Sequence, residues 1–256
     1  MSDLIEVTGM VLSAMPIGEY DRRIVILTRE RGKISAFAKG ARRTGNQFLG
    51  VTRAFVFGKF QLYEGRTSYN IRQVDISNYF EGIISDLDAV CYACYFAELS
   101  DYYGRENLDA SQMINLLYVA LKALLNPKLP KRLVRYIYEL RLMALNGECP
   151  DFFTCSSCGS EDDICEYSMT DVAVYCSKCV HGTHSADAGI IGSGAGRVRM
   201  NSSTVYTLQY IITAPLEKLF TFTVSEEVLS ELKLVIRRVC ATVIDKHMKS
   251  EEMLID

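Results

Sequence analysis

The sequence predicts an α+β protein in which a small five-stranded barrel precedes an all-α domain that carries an inserted four-cysteine segment. Three observations support this fold class. The first 80 residues alternate between strand-like segments and turn residues, the apolar spacing changes to three and four residues from Asp86, and two C-x-x-C pairs lie between residues 155 and 179. The predicted domains are residues 1–80 and 81–256, with the insertion at about 150–185.

Five segments before residue 80 have the β-branched, aromatic or alternating composition of strands. They are IEVTGMVL, RIVILTRE, KISAFAKG, AFVFGKFQLYEG and YNIRQVDIS. The stretch ERGK between the second and third predicts a hairpin turn, in which Gly32 can supply a positive φ. Five short strands suit a closed barrel because closure removes the exposed sheet edges, and the OB-fold, which commonly binds oligonucleotides, is one such barrel.

Helical spacing and end signals predict five helices in the remainder. They run approximately over residues 86–102, 111–125, 131–145, 203–213 and 226–243. Asp86 and Ser225 are the predicted N-caps of the first and last helix, because a short polar side chain can accept a hydrogen bond from the first turn. The glycine-rich segment 189–197 lacks the Lys-Ser/Thr ending of a P-loop and predicts a flexible loop.

Composition and charge narrow the class of protein. No apolar run is long enough to span a bilayer, and the N-terminus lacks the basic and apolar regions of a secretory signal. We therefore expect a cytoplasmic location, where thiols stay reduced and the nine cysteines are core residues or metal ligands.

Residues 1–78 carry 12 Lys/Arg and 7 Asp/Glu, a balance of +5, whereas the rest carries 16 and 24, a balance of −8. This asymmetry indicates two different partner surfaces, although chance segregation of solvated charge gives the same pattern.

Two C-x-x-C pairs, separated by 17 residues, are formed by Cys155, Cys158, Cys176 and Cys179. Each pair is a tight turn that brings two thiolates to one metal ion, and the spacing is typical of a four-cysteine zinc site. Four thiolates fill a tetrahedral shell, so the sequence predicts one structural Zn²⁺ and no open position for catalysis. The alternatives are two pairs of buried thiols, a redox dithiol, or replacement of one ligand by His181 or His184.

The basic run AKGARRTG is the candidate nucleic-acid site. Arginine pairs bidentately with phosphate, and glycine lets backbone N–H groups approach it. The sequence therefore predicts that the loop from Lys39 to Arg43 binds nucleic acid, with a solvated loop as the alternative. Most of the aromatic residues that interleave with these charges are predicted to be barrel core. Phe48, in the polar stretch NQFLG, is the predicted exposed aromatic residue on which a base could stack.

The sequence contains no recognisable catalytic constellation. Its three histidines have no Ser-His-Asp or Cys-His neighbour, no H-E-x-x-H motif is present, and the paired acids lie in polar turns or helix starts. We therefore expect a binding protein and not an enzyme. A nuclease that uses carboxylates and a divalent metal is the alternative within the enzyme class.

The order of these features resembles the RecO family of bacterial recombination mediators. The similarity is strongest over VLSAMPIGEYDRRIVILTRERGKISAFAKGARR, where the family has a similar strand, a glycine-containing turn, a T-x-E-x-G hairpin and a K/R-G-A-R-R loop. It continues over LYEGRTSYNIRQVDISNYFEGIISDLDAVCYACYFAELSD and over VIDKHMKSEEML, which is similar to the family's H-x-x-x-K-x-L-K-S ending. His247 and Met248 depart mildly from that ending.

The resemblance implies a non-enzymatic protein with an N-terminal OB-fold, acting at the bacterial nucleoid. Such a protein binds single-stranded DNA, with double-stranded DNA as a further candidate, and partners RecR and the single-strand binding protein. It helps RecA load onto coated strands and anneals complementary strands. The DNA-binding residues it implies are Lys39, Gly40, Arg42 and Arg43, with Arg22 and Arg23 nearby, and a candidate C-terminal basic site at Lys246 and Lys249. The alternative function is an adaptor or transcription-associated module whose zinc knuckles hold the partner.

Overall fold

The computed structural model describes residues 3–66, 68–182 and 196–254, which belong to two compact units. The first unit consists of Met1–Pro127 together with Met248–Asp256, and the second consists of Lys128–His247. The barrel lies in the first unit and the cysteine segment in the second. Among the helices in the described ranges, none is both long enough and apolar enough for a bilayer crossing.

The barrel consists of β1 (Leu4–Ile17), β2 (Asp21–Thr28), β3 (Gly32–Ala38), β4 (Phe57–Glu64) and β5 (Tyr69–Asn78). Its strands follow the order β1-β2-β3-β5-β4, β4 pairs back onto β1, and β3 runs parallel to β5. Inward side chains at alternate positions form one core, among them Val11, Ile24, Ile34 and Phe60. The closed order confirms the predicted OB-like barrel and the α+β class.

The first unit is completed by helices. They are α1 (Phe48–Val51), between β3 and β4, followed by α2 (Glu81–Ile84), α3 (Leu87–Tyr103) and α4 (Ser111–Leu124), with a 3-10 helix at Lys249–Met253. The Asp86 side chain accepts a hydrogen bond from the N–H of Ala89 at 3.0 Å, which confirms the predicted N-cap of α3. The 3-10 helix packs against α3, where the Glu98 carboxylate accepts from the N–H of Ser250 at 2.9 Å.

The second unit combines helices with a small sheet. Its elements are α5 (Lys131–Leu145), β6 (Ile164–Ser168), β7 (Ala173–Cys176), α6 (Ser177–Val180), β8 (Arg197–Arg199), α7 (Ser202–Thr213), a 3-10 helix (Leu216–Lys218) and α8 (Glu226–Val243). Ser225 caps α8 as predicted, accepting from the N–H of Val228 at 3.3 Å. The sheet has the order β7-β6-β8. The sequence predicted a flexible loop over residues 189–197. This prediction is wrong at Arg197, because this residue begins β8, which pairs with the free edge of β6. Residues 189–195 lie outside the described residues.

The β2–β3 hairpin requires glycine at position 32. Gly32 has a φ of +62°, and an added Cβ would lie 1.9 Å from the carbonyl oxygen of Arg105. Gly32→Ala should therefore lower the free energy of unfolding by more than about 2 kcal/mol, since a left-handed backbone costs about 1–2 kcal/mol before any clash is counted. Chemical denaturation measures this loss. Gly18→Ala is the matched control, because Gly18 has a φ of +54° but no atom within 4 Å of an added Cβ; equal losses in the two variants would contradict the clash.

Candidate nucleic-acid interface and metal centre

The basic loop that follows β3 is held in place by the turn between β1 and β2. The Asp21 carboxylate accepts a hydrogen bond from the N–H of Gly40 at 2.7 Å, and the carbonyl of Tyr20 accepts one from the N–H of Arg42 at 2.8 Å. Gly40 has a φ of +67°, and an added Cβ would lie 2.8 Å from the side-chain nitrogen of Asn46. The turn thus fixes the backbone of the loop, and glycine is needed at its centre.

The three cationic side chains of the loop, Lys39, Arg42 and Arg43, are all exposed. The Nη1 of Arg42 donates to the carbonyl of Glu19 at 3.2 Å, and the Arg43 guanidinium lies over the ring of Tyr20. In the part of the chain that the structure describes, none of the three forms an ion pair with a carboxylate. Their positive charge is therefore left to be balanced by a partner or by counterions.

The two arginines of β2 have different surroundings. The Nη1 of Arg22 donates to Thr52 Oγ1 at 3.1 Å and lies 3.3 Å from the carbonyl oxygen of Leu49, so this side chain ties β2 to the segment around α1. Arg23 is exposed, and its Nε donates to Ser35 Oγ on β3 at 2.7 Å. Arg22 therefore supports the end of the barrel that carries the loop, whereas Arg23 keeps its other guanidinium nitrogens on the surface.

The exposed aromatic residue at the loop is Tyr20 and not Phe48. The prediction for Phe48 is wrong, because this side chain is only 8% exposed and packs into the barrel core at the start of α1. Tyr20 is 40% exposed, and the Cζ of Arg43 lies 4.5 Å from its ring centroid. The sequence carried a signal for Tyr20 that the prediction missed: a large ring in the tight turn GEYD, between two strands, has no core to enter.

The four predicted metal ligands come together in the second unit. Their Sγ atoms all lie within 4.8 Å of one another, and those of Cys158 and Cys176 are 3.7 Å apart. Four thiolates bound at about 2.3 Å to a tetrahedral Zn²⁺ would lie about 3.8 Å from one another. The donor set and the spacing therefore fit one tetrahedral metal ion.

The β6–β7 hairpin positions both cysteine pairs. The N–H of Ser156 donates to the carbonyl of Val174 in β7 at 3.0 Å, which anchors the turn that carries Cys155 and Cys158. Cys176 is the last residue of β7, and Cys179 follows in α6. The pairing of the hairpin thus brings together thiols that are far apart in the sequence.

The thiols of the cluster do not ionise alike. Burial raises the pKa of Cys155, but hydrogen bonds from the backbone N–H groups of Cys176, Cys158 and Ser157 outweigh it and lower this pKa to about 7. Burial raises the pKa of Cys179 to about 12, and the neighbouring thiols add to the increase. The protein alone therefore does not stabilise four thiolates at neutral pH, whereas a divalent cation bound among them would.

The other predicted site residues are His181, His184, Lys246 and Lys249. His181 follows α6, where its N–H donates to the carbonyl of Ser177, and within the described residues the group that could hold a metal contains cysteines only. His184 lies outside the described residues. Lys246 and Lys249 are both exposed, the former in the second unit and the latter in the first.

Comparison with known proteins gives a consistent result over most of the chain. A family model described as the N terminal of recombination protein O matches residues 1–80, and one described as its C terminal matches residues 84–252. The DNA repair protein RecO of Acetivibrio thermocellus is 30% identical over 245 residues, which cover 95% of this chain and 93% of that protein. The RecO proteins of Alkaliphilus metalliredigens and Bacillus subtilis are 28% and 25% identical, over 95% and 96% of this chain and 95% and 92% of their own lengths.

Proposed function

The chain belongs to the RecO family of DNA repair proteins, and we propose that it acts in recombinational repair as a mediator without turnover chemistry. It binds single-stranded DNA, helps load recombinase onto strands coated by a single-strand binding protein, and anneals complementary strands. A RecR-type protein and the single-strand binding protein are its proposed partners, with RecA engaged indirectly. The proposed place of action is the nucleoid, in the bacterial cytoplasm. Residues 1–80 are the proposed DNA-binding domain, and residues 81–256 the proposed partner-binding domain.

The observation that carries this proposal is the charge of the loop from Lys39 to Arg43. Three of the five residues from 39 to 43 are exposed cations, and the β1–β2 turn fixes the backbone that carries them. Carboxylates of the described residues do not balance their charge. A fixed cationic loop suits a phosphate backbone, because little ordering is required when the partner binds. Arg23, exposed on the neighbouring strand, extends the same charge along the barrel.

The cysteine cluster has a separate role in the proposal. Cys155, Cys158, Cys176 and Cys179 would hold one Zn²⁺, which stabilises the fold of the hairpin that carries them. Because all four positions of a tetrahedral ion are then filled by protein, the site offers no position for a reacting water.

The test is the salt dependence of binding to a poly-thymidine oligonucleotide, followed by fluorescence anisotropy. Each phosphate contact on a single strand contributes about −0.7 to the slope of log K against log salt concentration, so three loop contacts give a slope of about −2 or steeper. The same protein should accelerate annealing of complementary strands coated by a single-strand binding protein. A slope near zero would overturn the proposal, as would clean cleavage of labelled DNA in magnesium or manganese.

A further inference from the structure

The proposed function assigns no role to Tyr20, an exposed aromatic residue that contacts the basic loop. Tyr20 belongs to the turn whose backbone holds that loop, and its ring is 40% exposed. The Arg43 guanidinium lies over the ring, 4.5 Å from its centroid. In this contact the Arg43 guanidinium covers a flat ring on which a nucleobase could stack. The same contact holds a cation that could pair with a phosphate.

Typical magnitudes indicate which contact survives when DNA is present. An exposed cation–π contact raises the equilibrium constant for its own formation by a factor of about two to five. A base stacked on an aromatic side chain raises the binding constant by a factor of about five to 140. A base can therefore displace the guanidinium from the ring. If the displaced Arg43 then pairs with a phosphate, the free energy gained exceeds that of the lost cation–π contact, since guanidinium–phosphate hydrogen bonds are charge-assisted.

The neighbouring surface is suited to bases as well. Met15 and Ile17, near the end of β1, are 57% and 39% exposed, and in the register of the hairpin they face Arg23 and Asp21 on β2. Exposed apolar side chains therefore continue from the turn along β1, beside the cationic loop. Such a surface offers contact to the flat apolar faces of unpaired bases, which a duplex keeps stacked inside.

We propose that Tyr20 is a base-stacking residue, covered by Arg43 in the free protein and uncovered when Arg43 moves onto a phosphate of single-stranded DNA. This inference rests on the proposed function and adds to it the residue that recognises unpaired bases. It predicts tighter binding to single strands than to duplex, because only an unpaired base is free to stack on the ring.

The first test compares a poly-thymidine oligonucleotide with an abasic oligonucleotide of the same length and charge, using the full chain. The wild-type protein should bind poly-thymidine several-fold more tightly. Tyr20→Leu should weaken binding to poly-thymidine by about tenfold and leave binding to the abasic strand unchanged. Tyr20→Phe, which keeps the ring, should bind both strands as the wild type does. An equal loss on both strands would mean that Tyr20 only orders the loop, and no loss would mean that it does not touch DNA; either result overturns the inference.

The chain contains no tryptophan, so Tyr20→Trp places a single tryptophan fluorophore at the site. Its emission should be quenched by poly-thymidine and not by the abasic strand, because quenching requires a stacked base. Equal quenching by both strands would contradict stacking.

Tyr63→Leu is the matched control. Tyr63 on β4 is 38% exposed and has the guanidinium of Arg72 at 5.8 Å, so it is the same kind of pair away from the loop. We expect Tyr63→Leu to leave the affinities for poly-thymidine and for the abasic strand unchanged. If this variant lost affinity for poly-thymidine only, the assignment of base stacking to Tyr20 would be wrong. Failure of the proposed function has a different signature, which is that the wild-type protein binds neither strand in a salt-dependent way.

Discussion

Replacing Cys155 by serine should remove the metal from the protein and unfold the hairpin that carries the cluster. Structural zinc contributes about 10–16 kcal/mol of apparent binding free energy to small zinc-binding folds, so losing one of four thiolates should cost about 4 kcal/mol or more. Cys155 is almost fully buried, and its Sγ accepts a hydrogen bond from the N–H of Cys176 at 3.3 Å. Elemental analysis of the purified protein should give one zinc per wild-type chain and none in the variant. Thermal unfolding and limited proteolysis should show the loss of stability.

The matched control for this change is Cys165→Ser. Cys165 lies in β6 of the same hairpin and is partly buried, but it is not one of the four clustered residues. This variant should keep the metal and unfold at nearly the wild-type temperature. If wild-type protein supplied with zinc bound none, the metal assignment would be wrong. If Cys155→Ser remained stable but lost a protein partner, the zinc-knuckle adaptor would become the better account of the function.

Replacing Arg42 and Arg43 together by alanine should weaken binding to single-stranded DNA regardless of base sequence. Each of the two exposed charge contacts contributes at most about 1 kcal/mol to binding. Their removal should therefore lower the affinity for DNA by up to about 30-fold at low salt. The slope of log K against log salt should fall by about 1.4, which is the share of two phosphate contacts. Anisotropy titrations over a range of salt concentrations measure both quantities. The side chain of Arg42 contacts only backbone carbonyls of the turn in the described structure, so the fold should tolerate the change.

The charge-matched control is Arg105→Ala combined with Lys218→Ala. Both residues are exposed and lie in different units, and together they remove the same two charges. If this control lowered the slope as much as the loop variant does, only net charge would matter, and the loop would lose its assignment as the DNA-binding site.

Features set by neighbouring residues could be predicted from the sequence. The caps at Asp86 and Ser225 depend on one side chain and the first helical turn that follows it, so polarity and spacing sufficed. Gly32 was predictable because a tight hairpin needs a positive φ, whatever packs around it. The spacing of the C-x-x-C pairs likewise indicated that the four thiols would meet, as they do.

Features set by distant residues could not be predicted. The partner of Arg22 is one such feature, because its Nη1 donates to Thr52 Oγ1, 30 residues further along. Phe48 lies in a polar stretch, yet α1 places its side chain in a barrel core built by strands on either side of it in sequence. The three residues of β8 are too few to show a period, and only the free edge of β6 makes them a strand. In each case the deciding contact is tertiary.

The assembly of the first unit from Met1–Pro127 and Met248–Asp256 has a consequence for synthesis on the ribosome. The residues that dock on α3 emerge only after the whole of Lys128–His247 has been translated, which takes several seconds or more at elongation rates of about 5–20 residues per second. During that time the nascent barrel and α3 exist without Met248 and Ser250, both of which are buried in the finished protein. The second unit can fold while the first is still open. A ribosome stalled within it would therefore expose an incomplete first unit to chaperones and proteases.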